Sequence, residues 1–166
     1  MPASTKPDIR QLVKAFSEEF PVTIVPRSEE VPREQLFVAL PADHAGRARQ
    51  LELVFLPDED DVHFLQYFVP LEFAISPAHV GDLARVILRI NASSPLIGFG
   101  MLEDLALVCF RAVVPCPKQA LDPEIHGQTL YLILYILDQL GAIVEGVANG
   151  TLSHADALVK LAAATA

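Results

Sequence analysis

Four segments of the chain predict helices, and in the first two of them apolar residues recur three or four positions apart, the spacing of a helix that buries one face. Two of them begin with a residue that caps helices followed by a proline, Ser76-Pro77 and Asp122-Pro123. Ser153 caps the last segment, after Gly150 has broken the chain. The predicted helices are Ser4–Phe20, Ser76–Asn91, Asp122 to about Val147, and Ala155–Ala164.

Apolar runs bounded by prolines, glycines and acidic turns predict the strands. The connections between consecutive strands are short, which favours antiparallel pairing and an α+β fold over alternating βαβ units. Pro70 interrupts one strand, so this position needs a bulge or a sheet edge. The predicted strands are Gln35–Leu40, Gln50–Leu56, Val62–Phe73, Leu96–Met101 and Leu105–Val114, and Val22–Val25 is either a short strand or an extended linker.

Two strands and one helix carry more apolar residues than a single buried face needs. Both faces of Val62–Phe73 and of Leu105–Val114 are apolar, and Arg111 is the one polar residue of its face. The run Leu130–Leu137 surrounds its whole helix, as in helices that are buried on several sides. In a monomer, helices on both faces of the sheet would cover this surface. Alternatively, the surface is the interface of a homodimer or a groove that binds a partner chain. We favour the interface.

The composition limits the class of protein. A chain of 166 residues and 18.1 kDa is expected to form one domain, residues 1–166. Its net charge of −9 disfavours binding to nucleic acid and to anionic membranes. Hydrophobic residues make up 52% of the chain and the mean hydropathy is +0.37, which excludes a disordered protein. With no signal-peptide pattern and no apolar run long enough to span a bilayer, we expect a cytoplasmic protein without membrane insertion.

No motif in the sequence indicates catalysis. The acidic run Asp58–Asp61 lacks the length and the glycine of a calcium loop and predicts a solvated turn. Gly98-Phe99-Gly100 lacks the third glycine of a dinucleotide loop and leads into a strand, where glycine permits a bulge or a close approach. The five histidines have no metal-ligand spacing, Cys109 lies among leucines, and nothing near Cys116 activates it. We therefore predict no catalytic residue, no cofactor and no metal.

The middle of the chain follows an order of features that is known from one family. A helix ends in Asn91, a proline-containing turn follows, and a strand begins with Gly98-Phe99. An acidic turn, a strand with Phe110-Arg111 and a long apolar helix come next. In these features Val80–Gly146 resembles the YbjN-type family, which shares the fold of the type III secretion chaperones. The elements before this segment match the family only in their order.

This resemblance implies a curved antiparallel sheet of about five strands packed by helices, in the order α-β-β-β-α-β-β-α, and assembled as a homodimer. The secretion chaperones are small, acidic and intracellular, and they hold extended segments of partner proteins on apolar patches. The short extra C-terminal helix and the proline-rich segment Pro21–Pro32 depart from that pattern.

We therefore predict a non-enzymatic, chaperone-like or adaptor domain that forms a homodimer and binds a partner protein. Tyrosine suits such contacts because it offers an apolar ring and a polar tip. The alternative is a small-molecule-binding domain or enzyme with a pocket between sheet and helices, in which Arg111 meets a ligand carboxylate or phosphate. The predicted interface residues are Leu65, Tyr67, Leu105, Leu107, Tyr131 and Tyr135.

Overall fold

The computed structural model describes residues 7–57, 63–116 and 121–164. Its strands are β1 Val22–Val25, β2 Gln35–Leu40, β3 Arg49–Phe55, β4 His63–Leu71, β5 Phe99–Leu102 and β6 Leu107–Cys116. Its helices are α1 Gln11–Ser17, α2 Val80–Ser93, α3 Pro123–Ala148 and α4 His154–Ala164. These six strands form one open antiparallel sheet in the order β1-β2-β3-β4-β6-β5.

The predicted α+β class with an antiparallel sheet is confirmed. The sheet has six described strands instead of about five, because Val22–Val25 pairs with β2 and is an edge strand, not a linker. Four strands therefore precede α2, where the predicted order had three. The pairing of β3 with β4 ends at Phe68, so Pro70 pairs with Cys109 of β6 alone and lies at a local sheet edge, as expected for proline.

The first helix is shorter than its apolar pattern predicted. It begins at Gln11, whereas the predicted start at Ser4 lies outside the described residues. The carboxylate of Asp8 accepts the amide of Arg10 at 2.9 Å, and the carbonyl of Asp8 accepts the amide of Gln11 at 3.0 Å. These local hydrogen bonds turn the chain, because a short polar side chain competes with the helix for backbone groups.

The predicted start of α3 is confirmed, whereas α2 begins later than predicted, after a short 3₁₀ turn. The carboxylate of Asp122 accepts the amides of Glu124 at 2.9 Å and Ile125 at 3.5 Å, which caps α3. Ser76 makes no such bond, and a single turn of 3₁₀ helix, Pro77–His79, precedes α2. The acidic run Asp58–Asp61 and Val62 lie outside the described residues.

The described helices lie on one side of the sheet, where α4 packs on α2 and α3. Side chains alternate in burial along the strands, so that in β4 every second residue from His63 to Leu71 is buried. The buried positions join the helices in one hydrophobic core. The central members of this core are Leu12, Phe16, Leu36, Leu51, Leu53, Leu65, Tyr67, Leu83, Ile90, Phe110, Leu130 and Ile133.

Helix α3 crosses the inner face of the sheet and contacts α1, α2 and α4. Its length and composition alone would allow it to span a membrane, with a mean hydropathy of 1.6 over its most apolar window. However, 56% of that window is buried inside the fold, which is the packing of a core helix. The predicted burial on several sides therefore holds for most of α3, while Tyr131 and Tyr135 remain exposed.

The turn from α2 into β5 is held by one side chain. Asn91 donates its amide nitrogen to the carbonyl of Phe99 at 2.8 Å and accepts the amide of Phe99 at 3.2 Å. Immediately before Phe99, the backbone of Gly98 lies against the ring of Phe110, where a β-carbon would come within 2.4 Å of a ring atom. These contacts fix the edge strand to the core, and they account for an asparagine and a glycine at these two positions.

Candidate functional site

The sheet face opposite the helices is apolar at its centre. We call it the open face, and its large apolar members on the inner strands and on β2 include Phe37, Val54, Phe64, Phe68 and Val113. No helix of the described ranges packs on this face. Val54 is buried between its neighbours, Val113 is 36% exposed, and the three phenylalanines are half-buried. A solvated face of an antiparallel sheet is normally polar, so this face has the character of a surface that becomes covered.

Two opposite charges lie among these apolar residues, each bonded to a neutral amide. The Nε2 of Gln35 donates to the Oε1 of Glu52 at 2.8 Å, and the Nε of Arg111 donates to the Oε1 of Gln66 at 2.6 Å. Partial burial raises the pKa of Glu52, and the bond from Gln35 opposes that rise. Neither charged side chain forms an ion pair with any residue in the described part of the chain.

Two of the predicted interface residues are core residues. Leu65 and Tyr67 lie on β4 with their side chains toward the helices, and each has no solvent-exposed area. Their neighbours Phe64, Gln66 and Phe68 point to the open face instead, because successive side chains of a strand alternate. The prediction that Leu65 and Tyr67 contact a partner is therefore corrected: they can hold the fold together but cannot touch a second protein.

Tyr67 shares a buried hydrogen bond with α3. Its hydroxyl lies 2.5 Å from the Nδ1 of His126, and both residues are buried. Burial raises the pKa of Tyr67 and lowers the pKa of His126, while the charge of Asp122 partly opposes the second shift. Both groups therefore stay neutral near pH 7, and the hydrogen bond joins two uncharged side chains. The bond links the centre of the sheet to the start of α3.

We expect the stability of the protein to fall when the pH drops below about 6.5. His126 takes up a proton at its ordinary value of 6.5 in the unfolded chain but resists protonation in the fold, where its pKa is lowered. The contribution of neutral His126 to the free energy of unfolding is fully present above pH 6.5. As the pH falls toward the lowered pKa, this contribution decreases by at most about 1.4 kcal/mol per pH unit. The free energy of unfolding is measured with urea for the parent chain and for His126→Gln, at about pH 7.5 and at about pH 5.5.

The histidine at the start of α4 provides the control for that measurement. His154→Gln is expected to keep the pH dependence of the parent chain, whereas His126→Gln is expected to reduce it. If His126→Gln and His154→Gln have the same pH dependence, the buried histidine does not carry the effect.

Leu105 and Leu107 lie at the turn that joins β5 to β6. Leu105 ends a short 3₁₀ turn and is 70% exposed, while Leu107 is half-buried and pairs with the exposed Leu102 across the two strands. Ala106 takes a left-handed backbone conformation between them, with φ of 47°. Leu107 lies on the open face, because it alternates along β6 with Arg111 and Val113, and with Leu102 it forms an apolar tip at one corner of that face.

Tyr131 and Tyr135 lie one turn apart on the solvent side of α3. Interaction with the carboxylate of Glu19 raises the pKa of Tyr131, and the Tyr131 ring lies 6.2 Å from the ring of Phe20. Tyr135 is 58% exposed and borders a small groove of about 70 Å³ between α2, α3 and α4. The helix layer separates these tyrosines from the open face, so the predicted interface residues do not form one surface.

Arg111 does not lie between the sheet and the helices. Its side chain is on the open face, so it lines no pocket of the kind that the small-molecule alternative requires. The recess between β4, the β2–β3 loop and α3 holds two other arginines. There Arg47 forms a two-bond ion pair with Glu145, and Arg49 lies 2.8 Å from Asp138. The free space that remains is about that of one water molecule, so these cations brace α3 against the sheet.

The two cysteines are free thiols in buried positions. Burial raises the pKa of Cys109 and of Cys116, so both are protonated at neutral pH and are poor nucleophiles. In the described ranges, no three histidine, cysteine or acidic side chains lie close enough together to hold a metal ion.

Comparison with protein-family models gives no match for this chain, and comparison with curated protein sequences gives none either. The YbjN-type resemblance therefore stays a prediction that rests on the residues quoted for it. Of what it implies, the α+β fold with one antiparallel sheet is present.

The sequence prediction named two residues of the open face, Leu107 and Arg111, but missed its phenylalanines and valines. The two faces of Val62–Phe73 are both apolar, but only one of them contains Gln66, and on β6 the same face contains Arg111. Gln66 and Arg111 are polar residues inside apolar strands, and such residues indicate a face that meets solvent or a partner. The alternate residues on the other face of β4, from Leu65 to Leu71, are all apolar or aromatic, which indicates the core.

Proposed function

We propose that this chain is a non-enzymatic, protein-binding domain of the chaperone-like or adaptor kind, and that it acts as a homodimer in the cytoplasm. The observation that carries the proposal is the apolar open face of a sheet whose described helices all lie on the other side. Leaving an apolar face of this kind in water is unfavourable, and a second protein chain covers it with side chains of the same character.

The charge and the cysteines favour this class over others. A net charge of −9 disfavours nucleic acid and anionic lipid as the cover for the open face. Two buried, unpaired thiols fit a reducing compartment, which supports the cytoplasmic assignment. The paired arginines in the recess beside α3 leave no room for a substrate, which is why we favour binding over the small-molecule alternative.

Self-association and partner binding use different surfaces in this proposal. The open face serves self-association, and the exposed tyrosines of α3 with their groove serve the partner. Tyr131 and Tyr135 present aromatic rings next to polar tips, which is the chemistry that is enriched at protein interfaces.

The first measurement is the solution mass, by light scattering behind size exclusion over a dilution series. We expect twice the 18.1 kDa mass of the chain. A mass of 18.1 kDa at every concentration would contradict the homodimer.

The second measurement is suppression of the aggregation of a heat-unfolded client enzyme. Tyr135→Asp is expected to reduce suppression severalfold without changing the solution mass, because it places a charge in the apolar groove. Val159→Asp is the matched control, since Val159 is 70% exposed on the neighbouring helix α4. If the parent chain suppresses nothing, or if both variants act like the parent chain, the tyrosine surface does not bind extended protein segments.

A further inference from the structure

The open face has a self-complementary arrangement of charges, and from it we infer how the homodimer is built. A second copy of the chain packs face to face on the open face, about a two-fold axis that runs along β4 between the two sheets, so that Glu52 of each copy meets Arg111 of the other. This inference rests on the homodimer of the proposed function, and it adds the axis and the paired residues.

The strand register places the two charges symmetrically. Glu52 of β3 and Arg111 of β6 are both direct cross-strand neighbours of Phe68 on β4, and all three side chains lie on the open face. Adjacent strands are about 4.8 Å apart, so Glu52 on β3 and Arg111 on β6 are equally far from β4. A two-fold rotation about an axis parallel to β4 exchanges these two positions. It therefore brings each acid opposite a base and Phe68 opposite Phe68.

The same axis matches the next row of the open face. Val54 of β3 and Val113 of β6 are both cross-strand neighbours of Gln66 on β4. The rotation sets Val54 of one copy against Val113 of the other, and Gln66 against Gln66. Apolar side chains then meet apolar side chains, and the polar positions meet polar positions. Two sheets packed in this way lie about 10 Å apart with their strands aligned to within about 30°.

The local hydrogen bonds prepare both charges for such a contact. Gln35 holds Glu52, and Gln66 holds Arg111, so each charged side chain is already oriented on the face. Each charge is held by a neutral amide alone, since neither side chain has an ion-pair partner within the described ranges. Opposite charges across an interface fix its register and exclude other partners. This matters for a chain of net charge −9, whose copies otherwise repel each other.

Charge reversal tests this arrangement. Glu52→Arg and Arg111→Glu each set like charges opposite each other at two symmetric places, and like charges across an interface cost several kcal/mol. Each variant alone is expected to weaken dimerisation at least tenfold in a dilution series followed by light scattering. Mixing the two variants is expected to restore the dimer, because every added cation then faces an anion of the other chain. A contact within one chain cannot produce this recovery, since neither chain in the mixture carries both changes.

Matched reversals elsewhere provide the controls. Glu103→Arg and Arg89→Glu change the same charges at exposed positions away from the centre of the open face, and both are expected to leave the solution mass unchanged. If the parent chain is a dimer and both open-face reversals remain dimers, the inference is overturned while the proposed homodimer stands. If both reversals dissociate and their mixture stays monomeric, the paired arrangement is wrong. A parent chain that is monomeric throughout overturns both.

A cross-linking measurement covers the case in which a reversed variant does not fold. Phe64 lies on β4, next to the axis, whereas Phe37 lies two strands away on β2, and both are half-buried on the open face. The two copies of Phe64 face each other, but the two copies of Phe37 are roughly 19 Å apart across the axis. A short bis-maleimide is therefore expected to join Phe64→Cys into a covalent dimer and to leave Phe37→Cys uncoupled, since Cys109 and Cys116 are buried. The opposite result excludes the axis along β4.

Discussion

Replacing Tyr67 by alanine is expected to lower the free energy of unfolding by about 3–5 kcal/mol, because it removes a large buried ring and leaves a cavity. The side chain has no exposed area and lies in the hydrophobic core between the sheet and α3. Its hydroxyl also satisfies the Nδ1 of His126, which would be left without that partner in a buried position. A loss of this size is a large part of the total stability of a small domain.

Two further tyrosine variants separate the contributions to that loss. Tyr67→Phe keeps the ring and removes the hydrogen bond, so about 1–3 kcal/mol is expected. Tyr135→Ala truncates an exposed ring and is expected to change stability by no more than about 0.5 kcal/mol. Urea unfolding of the three variants measures all of these values. Equal losses for Tyr67→Ala and Tyr135→Ala would contradict the placement of Tyr67 in the core.

The sequence predicts the strands of this fold better than its first helix. Prolines, glycines and short polar turns mark the ends of strands, because these residues cannot continue the backbone pairing, and β2 matches its predicted bounds. The predicted first helix is too long, because the spacing of apolar residues shows where a helix can continue but not where it starts. The start depends on the turn at Asp8, where a side chain bonds the backbone two residues ahead.

The face of β4 that lies opposite the helices could not be assigned from periodicity. Alternation separates two sets of residues, but both sets in β4 are largely apolar, so the choice needs the neighbouring strands. The register shows that Glu52, Gln66 and Arg111 share one face, and this pairing exists only once β3, β4 and β6 are side by side. The prediction therefore named Leu65 and Tyr67, which are on the other side of the same strand.

The polar contacts that brace α3 join residues far apart in the chain. Tyr67 and His126 are 59 positions apart, and Arg47 and Glu145 are 98 positions apart. No spacing rule of helices or strands relates such residues, because their contact depends on how α3 crosses the sheet. In contrast, the cap of α3 by Asp122 is local, and the sequence predicts it correctly.

Replacing Gly98 by alanine is expected to destabilise the protein by about 1–3 kcal/mol, although the substitution adds a single carbon. That carbon would lie 2.4 to 2.7 Å from three atoms of the Phe110 ring, which is closer than real β-carbons approach a neighbour. The ring has no exposed area and packs edge-on against Phe99 at 5.3 Å, so it has no free space into which to move. The added carbon therefore forces the ring or strand β5 out of place.

Gly100, two residues later and inside β5, is the matched control. A β-carbon there meets only the sulfur of Cys109 at 3.7 Å, an ordinary contact, so Gly100→Ala is expected to cost much less than Gly98→Ala. In a Phe110→Leu background the smaller side chain makes room, and the cost of Gly98→Ala is expected to shrink. Residues in contact show this kind of coupling in a double-mutant cycle. If Gly98→Ala and Gly100→Ala lower the free energy of unfolding equally, or if the loss for Gly98→Ala is the same in the Phe110→Leu background, the ring contact is not what requires glycine at position 98.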